Sequence, residues 1–278
     1  MSDAIGSVSK RGSAADIGLV IPDLGNPFFP SLVQAVEQAA RARGVGVLIA
    51  NTNNDADVER DAFRMLIERR VGAILVSATH TTDSVETIVD AARVVPTIQI
   101  DRVVAESLPW VRADQEAPID AIVTHLQGSR RQHLAFIAQQ TTIPTSVERE
   151  VTFTRLMAEA FADQPLRIVK EAMSPEIGRA AAREIMATWP ETDAIICAND
   201  LIAVGVLLEL GIQPGRREVA ISGFDDTLLA RSLRLTSVRQ PVVEMADVAL
   251  TAVLDPAGVP AQLAVELQSE VMLRFSTA

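Results

Sequence analysis

At 278 residues, 48% of them hydrophobic and 22% charged, the chain has apolar surface enough for one large domain or two lobes and is neither disordered nor fibrous. A formal net charge of −11 excludes a body that grips nucleic acid by its phosphates, because that requires a basic face. The apolar runs are of strand length, no signal-peptide core precedes Ile17, and the single cysteine, Cys197, excludes an internal disulfide, so a cytoplasmic protein with no membrane contact is expected.

Residues 1–15 are rich in Ser, Gly and Ala without periodicity and read as a tail or linker. The apolar run Ile17–Ile21 is too short for a helix and predicts a buried strand. A loop dense in turn residues, Pro22 to Phe29, follows, with Asn26 before Pro27 as a helix start. Apolar residues at Phe29, Leu32, Val33, Val36, Ala39 and Ala40 predict a helix stopped by Gly44, and Val45 to Ala50 a second strand. Further helices are predicted around Phe63–Ile67 and Val85–Ala92, with strands at Ala73–Val76 and Thr97–Ile100. Strict alternation means a parallel sheet with helices on both faces.

Past a break around Leu108 to Asp114 the pattern restarts. Helices are predicted at 117–126, 146–161, 176–186 and 201–210, and strands at 134–137, 167–169, 194–197 and 219–222. The run Val71–Val76 resembles Thr192–Cys197 in place and pattern, so two similar α/β lobes are expected. Thr236 to Gln240 could return the chain to the first lobe, where Val242 to Leu254 forms a helix. The expected division is 16–112 plus 241–266 for the first lobe and 113–240 plus 267–278 for the second.

In open α/β sheets ligands bind beyond the carboxyl ends of the strands. The polar residues just after the predicted strands are Asp23, Asn26, Asp101, Arg102, Asn199, Asp200, Asp225 and Asp226, with Arg149 opening a helix nearby. Facing lobes would converge them on one cleft. Carboxylates that accept from vicinal hydroxyls, a forked guanidinium and amides suit a neutral polyhydroxylated ligand, and Phe28 and Phe29 could meet the C–H faces of a sugar. Each also has a plainer reading: Asn26 as a cap, the phenylalanines as core, Arg149 paired with Glu148 or Glu150 on a solvated face. Asp200 and Asp226 read as caps or loop hydrogen-bonders outside the site. Arg149 and Asp225 are expected to face a solvent-filled cleft in the free protein, so that replacing either would spare the fold.

No Gly-rich dinucleotide fingerprint, phosphate loop or Gly-x-Ser-x-Gly elbow is present, and His80, His125 and His133 lack metal-ligand spacing. No catalysis, cofactor or metal is expected.

The runs Ile17–Phe29, Arg69–Leu75, Cys197–Gly205, Ile221–Asp226, Leu235–Pro241 and Leu273–Thr277 resemble, in order, those of the effector-binding core of the lactose/galactose repressor (LacI/GalR) family. Periplasmic ribose-type binding proteins share that fold, so a solute-binding protein for transport or chemotaxis is the alternative. The resemblance implies two lobes of the periplasmic-binding-protein-like type I fold, joined by three crossovers with hinges near Val111–Ala113, Gln240–Val242 and Glu266–Ser269. It implies a small sugar-like effector contacted by Asn26, Phe28, Phe29, Asp101, Arg102, Arg149, Asn199, Asp225 and Gln240. It also implies a homodimer whose lobe closure is coupled to operator DNA through a helix-turn-helix head. No amphipathic helix pair precedes Asp16, so this chain is expected to be the core alone and to reach DNA only through such a head. Three places depart from the pattern: Thr152 where glycine is usual, Gln139-Gln140 for a frequent Gly-Gly, and Met173 where sugar binders often place an aromatic ring.

Overall fold

The computed structural model describes residues 16–139, 142–170, 174–211, 219–255, 257–260 and 262–278. Residues 1–15, Gln140 and Met173 lie outside the described residues. The chain begins with β1 (Ile17–Ile21), α1 (Phe28–Ala42), β2 (Val47–Asn51), α2 (Ala56–Glu68), β3 (Ala73–Val76), α3 (Asp83–Ala92) and β4 (Thr97–Ile100). It continues through β5 (Trp110–Ala113), α4 (Glu116–Gly128), β6 (Leu134–Ala138), α5 (Pro144–Ala160), β7 (Ile168–Lys170), α6 (Pro175–Thr188), β8 (Ala194–Cys197), α7 (Asp200–Leu210) and β9 (Ala220–Ser222). Then come α8 (Leu228–Ser232), β10 (Ser237–Arg239), α9 (Val242–Val253), β11 (Ala264–Leu267), β12 (Glu270–Met272) and a 3-10 turn at Phe275–Thr277.

The first sheet has the order β2-β1-β3-β4-β5-β11 and is parallel throughout. The second runs β7-β6-β8-β9, also parallel, and is extended through a parallel bridge from Ser222 to Thr236 and the antiparallel pair β10-β12. The two orders correspond strand for strand, and β3 and β8, the repeated sequence runs, hold the same place. Every residue of β1, β3, β6 and β8 is buried, because parallel strands covered on both faces read as unbroken apolar runs.

Strand alternation divides each sheet between two cores. Leu19 and Ile21 pack with α1 and α9, while Val20 packs with α2 and α3. In the second lobe Phe136 packs with α4 and α5, and Ala135 and Ile137 with α6 and α7. Helices α6 and α7 approach through glycines: a Cβ on Gly178 would collide with the carbonyl of Ile202, and one on Gly205 with that of Pro175. Side-chain caps fix several helix starts, with Asp55 accepting from the N–H groups of Asp57 and Val58, and Ser174, Asn199 and Thr227 capping α6, α7 and α8.

The chain passes between the sheets three times, from β5 into α4, from β10 into α9, and from β11 into β12. Two of these strands are tied together: Asp114 N donates to Leu267 O at 2.8 Å, and Ser269 Oγ to Asp114 O at 3.1 Å. The segment read from sequence as a break at 108–114 contains strand β5. Its Trp110-Val111-Arg112-Ala113 alternates half-exposed and buried positions, so it lacks the continuous apolar run of its neighbours. Strand β2 starts at Val47 rather than Val45, and the five-residue α8 was not foreseen.

Candidate functional site

After β1 the chain turns through Asn26, whose Oδ1 accepts from Phe28 N at 3.1 Å and whose carbonyl accepts from Phe29 N at 3.0 Å. Pro27, not Asn26, is the N-cap of α1 and no side chain caps it, so Asn26 stands one residue before the cap, where its amide closes the turn into the helix and also lines the cleft. Phe28 and Phe29 meet edge to face at 5.1 Å and belong to the first-lobe core, so both readings of these rings hold at once as well. After β4, Asp101 has a φ of +70°, donates its N–H to Val111 O at 3.0 Å and accepts from Ser77 Oγ at 3.0 Å. Arg102 lies over Phe29 with its Cζ 5.2 Å from the ring centroid, and its Nη1 donates to Ala78 O at 3.3 Å.

From the second lobe comes Arg149 on α5. Its Nε donates to Gln115 Oε1 at 2.8 Å, its Nη1 to Ala198 O at 2.5 Å, and its Cζ sits 3.5 Å from the centroid of Phe224. Asn199 caps α7 through Oδ1, which accepts from Ile202 N at 2.9 Å. Asp225 has a φ of +108°, donates its N–H to Val238 O at 2.8 Å and accepts from Gln240 Nε2 at 2.8 Å. Non-glycine residues held at positive φ cluster where function demands a particular side-chain direction.

All nine residues picked from the sequence line one cavity, joined by Gln139 and Thr145. The cavity encloses ≈ 10 Å³, about the room one water needs, so the lobes are closed on each other. Thr81 N donates to Thr142 O at 2.9 Å across the lobes, and Arg112 on β5 lies 3.5 Å from Glu148 on α5.

Two carboxylates face two guanidiniums, and burial dominates the electrostatics. It raises Asp225 well above the usual carboxylate range, against the pull of Arg149. It raises Asp101 likewise, against Arg102, Arg149 and the Ser77 hydroxyl. Both arginines are lowered by the same desolvation and held charged by the aspartates. Three buried polar atoms of cleft residues have no hydrogen-bond partner among the described residues: Arg102 Nε, Asn199 Nδ2 and Gln240 Oε1.

The remaining strand-end carboxylates serve the framework. Asp23 accepts from Gly25 N at 2.7 Å in the turn. Asp200 accepts from Thr227 N at 2.7 Å and Ser237 Oγ at 2.6 Å, and burial raises it to about 6. Asp226 holds Arg231, Arg239 and Arg274.

Two expectations about Arg149 need correction. At 4% exposure it is not on a solvated face, and its neighbours pair elsewhere, Glu148 with Arg112 and Glu150 with Lys170 at 2.7 Å. Nor does it face open solvent: stacking and two hydrogen bonds build it into the second lobe. Gln115 and Thr145 were not singled out from the sequence, and Gln139 only as a departure from Gly-Gly, not as a residue of the site. Gln115 stands two residues after β5, beyond Asp114, so recognising that strand would have exposed it to the same strand-end rule. No cluster of His, Cys, Asp or Glu suited to a metal occurs among the described residues, and no helix among them is long and apolar enough to cross a membrane.

Residues 14–253 match the family described as periplasmic binding proteins and sugar binding domain of LacI family. The chain is 30% identical to the transcriptional regulator reg1 of Streptomyces lividans, over 97% of this chain and 82% of that protein. It is 31% identical to the transcriptional regulator GalR of Salmonella typhimurium, over 87% of this chain and 72% of that one. A solved LacI-family transcriptional regulator from Arthrobacter sp. FB24, in complex with lactose, superposes with a TM-score of 0.81 at 25% identity, covering 95% of this chain and 100% of that chain.

Proposed function

The chain belongs to the family of periplasmic binding proteins and LacI-family sugar-binding domains, and from that premise we propose that its cleft receives a small, neutral, sugar-like effector. The observation that carries this reading is the set of orphaned groups. Arg102 Nε and Asn199 Nδ2 are donors and Gln240 Oε1 is an acceptor, all buried and all on residues of one cavity. Leaving such groups unpaired costs about 1–3 kcal/mol each, and hydroxyls, which both donate and accept, satisfy all three. The carboxyl groups of Asp101 and Asp225 offer acceptors from both lobes, which suits a ligand rich in hydroxyl groups. Asn26, Phe28, Phe29, Asp101, Arg102, Arg149, Asn199, Asp225 and Gln240 are the proposed contacts.

In this reading the lobes are 16–112 plus 241–266 and 113–240 plus 267–278, with Ala113 and Leu267, the last residues of β5 and β11, paired in the first sheet at the boundary. They part to admit the ligand and close around it, and the movement is passed to a helix-turn-helix head that reads operator DNA in the cytoplasm. The domain carries out no catalysis. It works as a homodimer, a role supported by the exposed leucines of α8 and its C-cap, Leu228 (78% exposed), Leu229 and Leu233.

Melting temperatures measured with lactose, D-galactose, D-ribose and cellobiose test the reading, because a ligand confined to the folded state raises stability by mass action. At least one is expected to raise the melting temperature saturably and to lower the radius of gyration in X-ray scattering. No shift with any of them would remove the sugar-effector reading.

A further inference from the structure

Arg149 is placed in the cleft by ties at two of its nitrogens. Nη1 donates to Ala198 O within the second lobe, and Nε donates to Gln115 Oε1. The Gln115 amide is itself anchored, because its Nε2 donates to Ala113 O at 2.8 Å. Ala113 ends β5, a strand of the first sheet, whereas Arg149 belongs to a helix of the second lobe. A single buried amide, 3% exposed, therefore joins the first sheet to the guanidinium across the first crossover.

We infer that Gln115 is a positioning residue: it sets the rotation of the Arg149 guanidinium and ties it to the first crossover. With Nε engaged, the planar fork cannot pivot about the Ala198 bond or slide on the Phe224 ring. Among the described residues no hydrogen bond engages Nη2, which leaves it for the ligand. The second crossover carries a related contact, engaged at one end of its amide only, since Gln240 Nε2 donates to Asp225 Oδ1 at 2.8 Å. Two of the three crossovers thus hold one charged cleft residue each by a glutamine amide. The inference rests on reading the cleft as the effector site, and it adds to that reading how a hinge movement redirects the groups that face the effector.

The test uses the full chain with Gln115→Leu, which removes the acceptor at similar size, and Gln115→Glu, which keeps the acceptor for Arg149 Nε and gives up only the N–H donated to Ala113 O. Gln115→Asn, one methylene short of Arg149, stands in for Gln115→Leu if that variant does not fold. In arginine-labelled protein the Arg149 Nε–H resonance, assigned with Arg149→Lys, is expected to exchange slowly with solvent in the wild type and in Gln115→Glu. In Gln115→Leu it should exchange at least about tenfold faster. Affinity for whichever of lactose, D-galactose, D-ribose or cellobiose binds should fall about tenfold in Gln115→Leu and stay within about threefold in Gln115→Glu. A merely structural glutamine would instead lower the melting temperature of both variants and leave the Nε–H exchange unchanged. Wild-type Nε–H exchange in Gln115→Leu, or equal affinity in wild type and Gln115→Leu, overturns the inference. If none of the four sugars binds, the effector reading falls, while the Nε–H measurement still decides whether Gln115 positions Arg149.

Discussion

Asp101 and Asp225 occupy the same place in the two halves of the molecule. Each follows the fourth strand of its sheet order, each has a positive φ, and each donates its N–H to the strand that leaves its lobe, at Val111 and Val238. The repeat therefore sets two carboxylates in one cleft, each approached by an arginine. Across that cleft they form a pair of acceptors from opposite walls.

Replacing Asp225 separates a ligand role from a structural one. Asp225→Ala is expected to weaken effector binding by roughly 2–4 kcal/mol, about 30- to 1000-fold, by stranding ligand hydroxyls. Burial has raised the folded-state pKa of this carboxyl, so its ionised form opposes folding near neutral pH. That relief is offset because Gln240 Nε2 loses its acceptor and Arg149 a facing carboxylate, so the melting temperature of the ligand-free variant should stay close to that of the wild type. Calorimetric titration beside thermal melting checks both; unchanged affinity with a lowered melting temperature would assign Asp225 to the framework.

Arg149→Ala should behave differently. Affinity should fall by a similar 2–4 kcal/mol, but the fold should lose about 1–3 kcal/mol too, because Gln115 and Ala198 lose their donor and Phe224 its stacked partner. Denaturant titration measures the second quantity, and a variant as stable as the wild type would contradict the packing described here.

The pH dependence of stability isolates Asp200. A carboxyl with a raised folded pKa binds its proton more tightly in the folded state, so the stability it contributes is fully present below the unfolded value near 3.8 and is lost as pH rises through about 6. Between those limits its contribution changes by roughly 2–3 kcal/mol. Melting curves from pH 4 to 7 should therefore show a falling component that Asp200→Asn removes. Identical slopes in the two proteins would place the titration elsewhere.

Gly205→Ala tests the closeness of α6 and α7. The added methyl would meet the Pro175 carbonyl, a backbone group that cannot swing aside, and the expected loss is about 2–3 kcal/mol or more. Differential scanning calorimetry reads it directly. A neutral substitution would mean that the two helices stand further apart than described.

Much of the architecture was legible because its strands are buried on both faces. Ile17–Ile21, Ala73–Val76 and Ala194–Cys197 are unbroken apolar runs, and the strand-end rule then gathers Asp101, Arg102, Asn199 and Asp225 without further information. Strand β5 was missed because Trp110 and Arg112 are half-exposed at the crossover, and Gln115 was missed with it. Helix α8 is too short to show a period, and β11 has only exposed and half-buried positions, so its Ala-Val-Glu-Leu carries little apolar signal. The closed state of the cleft was illegible for another reason. It depends on contacts such as Thr81 to Thr142 between loops that no local pattern links.

The three crossovers also set an order of assembly during synthesis. When residue 240 has been made, the second sheet already has α4 and α5 on one face and α6 and α7 on the other. At that moment the first sheet still lacks β11 and α9, whose Met245, Ala246, Ala249 and Leu250 complete the core beneath β1. Nascent chains ordinarily fold their leading domain first. Here the leading lobe must wait with one face covered by α1 alone while the helices of its successor are already in place, and the half-covered face is the apolar surface a chaperone would meet.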